Sequence, residues 1–327
     1  MKKRPLGNKT GNHAGKNVPL LTEIGLGTWA MGGPWQHGWG PQEEKDSIAA
    51  IQKSLEMGIN WVDTAAVYGL GKSEEILAKA LGGKRDSVFI ATKCGLRWDD
   101  SGNVRRDSSP TSIRYEVEQS LRRLRTDYID LYQIHWPDKN VPIQKSWEEM
   151  SRLQKEQKVR FIGVSNYNLE EIRAAMEVSP VASLQSPFSL VNRYVEREIL
   201  PFLEENGIGF LAYSPMQAGL LTGKFSPEKV DSLDDGDWRK KNKYFQEPLL
   251  PRIIHFTDSL RPLAEKYGME LSQLALRWTL DSHPFIHTIA GARNPEQAAS
   301  NSGSFPEISA EDMAKIEEIY RKIIKED

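Results

Sequence analysis

One rhythm runs through the chain and limits what it can fold into. Short runs of β-forming residues alternate with longer stretches whose apolar residues recur at helical spacing. Strand-type runs are read at 24–28, 59–63, 88–93, 129–135, 159–165, 181–185, 209–214 and 285–290. Helix-type patterns fill most of the gaps, at 47–57, 73–81, 147–156, 169–178, 197–205, 262–267, 271–280 and 295–301. After the third strand, Ser109-Pro110 is an N-cap with proline at the first helical position, followed by Ile113, Val117, Leu121 and Leu124 on one face. A further amphipathic helix is expected at 310–325.

Strands that alternate with helices imply a parallel sheet with right-handed crossovers. Eight such units in a chain of 327 residues favour a closed (β/α)8 barrel, an α/β TIM-barrel domain spanning 1–327. The competing architecture is a doubly wound open sheet with a second domain. It is disfavoured because no Gly-x-Gly-x-x-Gly follows an early strand and no Gly/Ser- or Pro-rich linker divides the chain. Two segments stand outside the repeat. Residues 16–23 are read as a short hairpin capping the barrel bottom. Residues 222–257 are read as a long polar loop after the seventh strand, either functional or a variable insertion.

Composition excludes several classes of function. Lys plus Arg total 43 against 45 Asp plus Glu, so the basic excess of a nucleic-acid binder is missing. The single cysteine, Cys94, cannot build a disulfide framework, and with six histidines it makes a thin case for zinc; a cytoplasmic protein without a metal is expected. The basic start, Met1 to Pro5, leads into no apolar run, which argues against export. No stretch approaches the roughly 20 apolar residues that span a bilayer.

A barrel of this type carries its site at the C-terminal ends of its strands. The residues there are Thr28-Trp29, Asp63 with Tyr68 five positions on, Lys93, His135, Ser165-Asn166, Gln185, Tyr213-Ser214 and Gly291. A phenol alone titrates at about 10 and is a poor proton donor near neutrality. A neighbouring ammonium favours the phenolate and is expected to lower that value, and a carboxylate beside the ammonium holds it charged. Tyr68, Lys93 and Asp63 are those three parts, and His135 on the next strand can donate to or orient a carbonyl oxygen. Each residue has an ordinary explanation in isolation: a packed loop tyrosine, a solvated lysine, a turn-capping aspartate, a histidine satisfied in the core. The other histidines, His13, His37, His255, His283 and His287, are read that way. The case rests on four such groups falling at one rim. A glycoside hydrolase on the same barrel would need two opposed carboxylates, and only Asp63 is evident there.

Several segments carry a family resemblance. Asp63-Thr64-Ala65-Ala66-Val67-Tyr68-Gly69 resembles the aldo-keto reductase signature around its catalytic Asp and Tyr. Ala91-Thr92-Lys93, Gln133-Ile134-His135-Trp136 and Gly163-Val164-Ser165-Asn166 resemble the segments holding the catalytic Lys, the catalytic His and the nicotinamide carboxamide site. Gly25-Leu26-Gly27-Thr28-Trp29 is similar to the family's first strand and loop. The resemblance implies an NADPH-dependent reductase of aldehydes or ketones in which Tyr68 is the general acid, Lys93 and Asp63 tune it, and His135 orients the carbonyl. It further implies that Asp63, Ser165, Asn166 and Gln185 contact the nicotinamide end and that Tyr213 stacks on the ring. The run Ser214-Pro215-Met216-Gln217-Ala218-Gly219, continuing to Lys224, would line the diphosphate.

The adenosine end would lie on Gly291, Arg293, Gln297, Ser300 and Asn301, with Arg293 facing a ribose 2′-phosphate. The better-known branch of the family has Lys where Gly291 stands and Arg where Gln297 stands; another has the Gly-x-Arg arrangement found here. NADPH is expected over NADH on one cation rather than two. A histidine at 135, where steroid double-bond reductases of the family carry glutamate, implies carbonyl rather than C=C reduction. The resemblance extends to potassium-channel β subunits, so the alternative is a nucleotide-binding sensor with slow residual turnover; no long N-terminal inactivation peptide is apparent. The family includes monomers and higher assemblies, which leaves the oligomeric state open. Trp29, Trp35, Trp39, Trp98 and Trp136, with the loops at 32–42 and 222–257, are candidates to shape an aromatic pocket for a small carbonyl substrate, unless they pack locally.

Overall fold

A computed structural model of the chain describes residues 1–7, 18–35 and 38–325. His13, His37 and the first two positions of the expected hairpin at 16–23 lie outside the described residues. Two short strands, β1 (Lys3–Pro5) and β2 (Leu20–Thr22), pair antiparallel. The bottom cap therefore joins β2, inside the expected stretch, to the chain's first residues. The sequence reading missed β1 because three residues ending in proline carry no periodicity.

The barrel strands are β3 (Ile24–Gly27), β4 (Trp61–Asp63) and β5 (Phe89–Cys94), followed, after a β6–β7 hairpin (Leu96–Trp98 and Val104–Arg106), by β8 (Ile129–Ile134), β9 (Val159–Ser165), β10 (Ser183–Pro187), β11 (Gly209–Tyr213) and β12 (Ile286–Gly291). The eight form one closed barrel in which every neighbour pair is parallel, and β12 pairs with β3. The helices are α1 (Glu44–Glu56), α2 (Lys72–Leu81), α3 (Pro110–Leu124), α4 (Ile143–Lys155), α5 (Leu169–Met176), α6 (Ile199–Glu205), α7 (Pro227–Asp231), α8 (Leu249–Ser259), α9 (Arg261–Lys266), α10 (Leu271–Ser282), α11 (Pro295–Asn301) and α12 (Ala310–Ile323). No helix among the described residues is long and apolar enough to cross a membrane.

The stretch at 222–257 is not an open loop. It holds α7, two 3-10 turns and most of α8, whose Leu250, Ile253 and Phe256 are buried. Pro248 and Pro251 disguised α8 in the sequence. Pro251 is the third residue of the helix, within the first turn, where a missing N–H costs no intrahelical bond.

Strand alternation explains how the barrel is filled. Residues two apart point the same way, so an apolar layer of Trp61, Ala91, Leu131, Leu211 and Ile289 lies one step below the ends of their strands. Leu6 and Leu21 seal this layer from below. Trp61 lies against the bare face of Gly25, where a Cβ would sit 2.1 Å from the indole ring, and its Nε1 donates to the Thr22 carbonyl at 2.9 Å. The next inward positions along those strands are Asp63, Lys93, Gln133 and Tyr213, so the pleat that packs the floor also presents a polar layer at the rim.

Candidate active site

The centre of that polar layer is a buried ion pair. Lys93 Nζ donates to Asp63 Oδ1 at 2.7 Å and to the Thr64 carbonyl at 2.8 Å, with the lysine side chain wholly buried. Asp63 Oδ2 accepts from Gln185 Nε2 at 2.7 Å. Burial pushes the Asp63 carboxyl up and the Lys93 ammonium down, and their contact with each other opposes both shifts. The Thr64 carbonyl is a ligand of Lys93 that sequence reasoning missed, since backbone acceptors leave no trace in residue types.

Tyr68 and His135 stand over this pair. Lys93 Nζ lies 5.2 Å from the centroid of the Tyr68 ring, and the Tyr68 and His135 rings meet edge-on with centroids 5.7 Å apart. Both side chains are only partly exposed. The expectation that Lys93 draws the Tyr68 phenol below its ordinary value is corrected here. Burial raises the phenol well above that value, and the negative Asp63, then Tyr213, push the same way. The physical reason is that Asp63 at contact distance offsets much of the pull of the Lys93 charge, so burial decides the direction of the shift. His135 moves in the opposite direction: burial, then the Lys93 charge, lower its imidazole well below the ordinary value. The free chain thus holds a protonated phenol and a neutral imidazole side by side, both able to donate a hydrogen bond to one oxygen.

A second group of polar residues borders this centre. Asn166, in the left-handed region at φ 62, receives a 2.9 Å hydrogen bond from the Tyr213 hydroxyl at Oδ1. Its Nδ2 donates to the His135 carbonyl and to Ser165 Oγ, each at 3.0 Å. Its backbone N–H donates to the Gln185 carbonyl at 2.9 Å. Ser165, Asn166, Gln185 and Tyr213 therefore form one amide-rich wall beside Asp63. Thr28 is buried and bound to the Asp63 carbonyl, with Trp29 following it.

The expected diphosphate run leaves β11 in tight left-handed turns, with positive φ at Ser214, Gln217, Ala218 and Gly219. Such turns gather backbone N–H groups into a concave surface of the kind that takes anions. Pro215 and Met216 lie between these residues, and Met216 accepts the Gly219 N–H at 3.0 Å. Lys224 is exposed at the end of the run. At the far end, Arg293 is already engaged. Its Nε donates to Gln42 Oε1 at 2.8 Å, its Nη2 to the Pro41 carbonyl at 2.5 Å, and Gln42 Nε2 returns a 2.8 Å bond to the Arg293 carbonyl. Gln297 Oε1 accepts from the Arg293 backbone N–H at 2.9 Å. Asn301 Nδ2 donates to the Gly291 carbonyl at 2.9 Å, and the Ser300 carbonyl accepts from Gln273 at 3.1 Å. The part of Gln42 was not foreseen; it comes from 251 residues away, and no local signal pointed to it.

The tryptophans divide. Trp35 meets the Tyr68 ring at 6.2 Å between centroids. Trp29 packs against Trp39 at 5.5 Å and Trp238 at 5.4 Å, which ties the loop after β3 to the segment between α7 and α8. Trp98 lies under Arg123 and Trp136 under Arg106. His283 and His287 pack at the opposite end, away from Tyr68, and His287 is wholly buried beside Trp61.

A closed barrel of eight parallel strands with an Asp–Lys–Tyr–His cluster at the C-terminal rim defines the class, and comparison with known proteins agrees. Residues 23–321 match the model of the aldo/keto reductase family, and the chain belongs to that family. It is 42% identical to the aldo-keto reductase YhdN of Bacillus subtilis over 84% of this chain and 82% of that one. It is 34% identical to the NADH-specific methylglyoxal reductase of Escherichia coli over 88% of this chain and 92% of that one. Among solved structures, the glycerol dehydrogenase of Gluconobacter oxydans superposes with a TM-score of 0.87 at 37% identity, covering 99% of this chain and 96% of that one. The chain is a nicotinamide-dependent oxidoreductase of this family.

Proposed function

We propose that the protein reduces small aldehydes or ketones to alcohols with NADPH in the cytoplasm, and that Tyr68 delivers the proton. The observation that carries this reading is the buried Lys93–Asp63 pair with the Tyr68 and His135 rings set edge-on over it. A nicotinamide held by Asn166, Gln185 and Tyr213 would supply the hydride. The residues of the chain handle the oxygen: Tyr68 and His135 donate to it, and Tyr68 then gives up its proton as the oxygen gains negative charge. The phenolate left behind is stabilised by Lys93, which Asp63 and the Thr64 carbonyl hold in place, and solvent returns the proton. The donor set fits a nicotinamide dinucleotide along its length. Side-chain amides of Asn166 and Gln185 suit a carboxamide, the left-handed turns at 214–219 suit a diphosphate, and the Arg293 guanidinium suits a phosphate monoester.

The substrate is a small carbonyl compound, in keeping with Trp35 standing beside Tyr68 and with the names of the relatives, one a methylglyoxal reductase and one a glycerol dehydrogenase. Steady-state oxidation of NADPH with methylglyoxal and with an aromatic aldehyde tests the activity. Carbonyl-dependent oxidation is expected; nucleotide binding with no turnover across a broad carbonyl panel would move the assignment to a sensor protein.

Cofactor choice rests on Arg293, with no second cation at Gly291 or Gln297. A charge-assisted hydrogen bond contributes about 1.5–3 kcal/mol. Arg293→Ala is therefore expected to weaken NADPH roughly 10- to 100-fold while leaving NADH nearly unchanged, as read by tryptophan fluorescence titration. Equal losses for both nucleotides would contradict the 2′-phosphate role and favour a chain closer to its NADH-specific relative.

A further inference from the structure

The first turn of α2 touches the backs of three rim strands at once. Ser73 sits at the middle of a chain of buried hydroxyls. Its Oγ donates to Thr28 Oγ1 at 2.7 Å, and Thr28 Oγ1 donates to the Asp63 carbonyl at 3.1 Å. Thr64 Oγ1 lies 3.0 Å from Ser73 Oγ. Each hydroxyl has one hydrogen, so with Ser73 committed to Thr28, Thr64 is the donor to Ser73. The order Thr64, Ser73, Thr28, Asp63 carbonyl satisfies every donor, and the three hydroxyl residues are all wholly buried. The Ser73 backbone N–H donates to the Tyr68 carbonyl at 3.2 Å. The next residue, Glu74, is also wholly buried. Its Oε1 accepts from Thr92 Oγ1 at 2.6 Å and its Oε2 from Arg123 Nε at 2.7 Å. Thr92 is the residue before Lys93, and Thr64, the residue after Asp63, gives Lys93 its carbonyl ligand.

We propose that Ser73 and Glu74 are positioning residues for the reaction: the first turn of α2 clamps Thr28, Thr64 and Thr92, and through them sets the spacing of Asp63, Lys93 and Tyr68. The proposal builds on the reductase assignment above. Helix propensity does not ask for a serine hydroxyl turned inward at this place, because Gly71 precedes the helix and no side chain caps it. Nor does stability alone explain a buried carboxylate, since an apolar pair of similar volume is often as stable as a buried ion pair. A clamp explains both, because fully satisfied buried polar networks fix one arrangement of the groups they join.

The test uses variants that spare the Glu74–Arg123 pair. Thr92→Val keeps the shape of the side chain and removes its bond to Glu74; Thr92→Ser restores the hydroxyl. Ser73→Ala removes the centre of the hydroxyl chain. Small misplacements of reacting groups cost up to about a hundredfold, so kcat is expected to fall roughly 10- to 100-fold in Thr92→Val and Ser73→Ala with nucleotide affinity unchanged, and to recover in Thr92→Ser. A second readout does not depend on turnover: the 13Cε resonance of Lys93, assigned by its loss in Lys93→Met, is expected to move in Thr92→Val and return in Thr92→Ser. If the native protein reduces no carbonyl, the reductase reading fails and the lysine resonance alone decides the clamp. An unmoved Lys93 signal in both Thr92→Val and Ser73→Ala overturns the proposal, whatever the turnover; a moved signal with native kcat overturns its role in the reaction.

Discussion

Replacing Tyr68 by phenylalanine is expected to lower carbonyl reduction by about 10²–10⁴-fold, the usual contribution of a positioned general acid, while nucleotide affinity stays at the native level. The ring remains, so its contacts with Trp35 and His135 survive, and only the hydroxyl is lost. His135 cannot substitute as the acid, because burial and the Lys93 charge keep its imidazole neutral near pH 7. The direction of the Tyr68 shift adds a second expectation. Burial raises the phenol, so the form that donates a proton persists through neutral pH and into the alkaline range. Native reduction should hold level there as pH rises, while alcohol oxidation, which needs the phenolate as base, should climb. A Tyr68→Phe protein with native turnover, or a native reduction rate that falls steeply between about pH 6 and about pH 8, would remove Tyr68 from the proton-donor role.

Lys93→Met is expected to cost both activity and stability. The ammonium holds Asp63 at 2.7 Å with the lysine side chain wholly buried, and removing one partner of a buried pair typically costs about 3–5 kcal/mol. Turnover should fall by about 10²–10³-fold, the loss seen when one preorganised stabiliser of developing charge is deleted. The stability loss has a definite pH dependence. Without its cation, Asp63 is a buried carboxyl whose folded-state value is raised further by burial. A group raised in the folded state contributes stability in its protonated form and loses it as pH rises. The gap between Lys93→Met and the native protein should therefore widen from about pH 5 to about pH 8 in denaturant unfolding. An Asp63→Asn change added to Lys93→Met should narrow the gap at the higher pH, because the double variant buries no charge. A gap that is constant with pH, or that widens towards acid, would mean that Asp63 carries no uncompensated charge in the variant.

Much of the barrel was legible because its signals are local and repeated. The helix runs at 47–57 and 73–81, stopped by Gly58 and by Gly82-Gly83, and the Ser109-Pro110 cap mark ends that the structure keeps within a few residues. Once the barrel is granted, the strand-end rule places Asp63, Lys93 and His135 without further help, because their side chains follow from the two-residue pleat. Tyr68 is different: it lies in a loop five positions past Asp63, so no pleat places its side chain, and it was picked out by its chemistry beside Lys93 and Asp63 and by the resemblance. What stayed hidden depends on distant partners or on surroundings. The β6–β7 hairpin is made of three-residue strands carrying Arg97, Arg105 and Arg106, with no apolar alternation to detect. Ser73 read as the start of a helix, and its bonds to Thr28 and Thr64 are visible only when β3, β4 and α2 are assembled. The Tyr68 shift was misjudged because residue types reveal which charges are near but not how little water surrounds them.

The measurement that tests the account most directly follows the reacting hydrogen. Purified protein is given NADPH deuterated at the transferable C4 position together with methylglyoxal or an aromatic aldehyde, and the alcohol product is analysed by mass spectrometry. The account predicts one deuterium on the carbinol carbon of the product, with formation abolished in Tyr68→Phe. NADPH bound but no labelled alcohol formed from any carbonyl would contradict it.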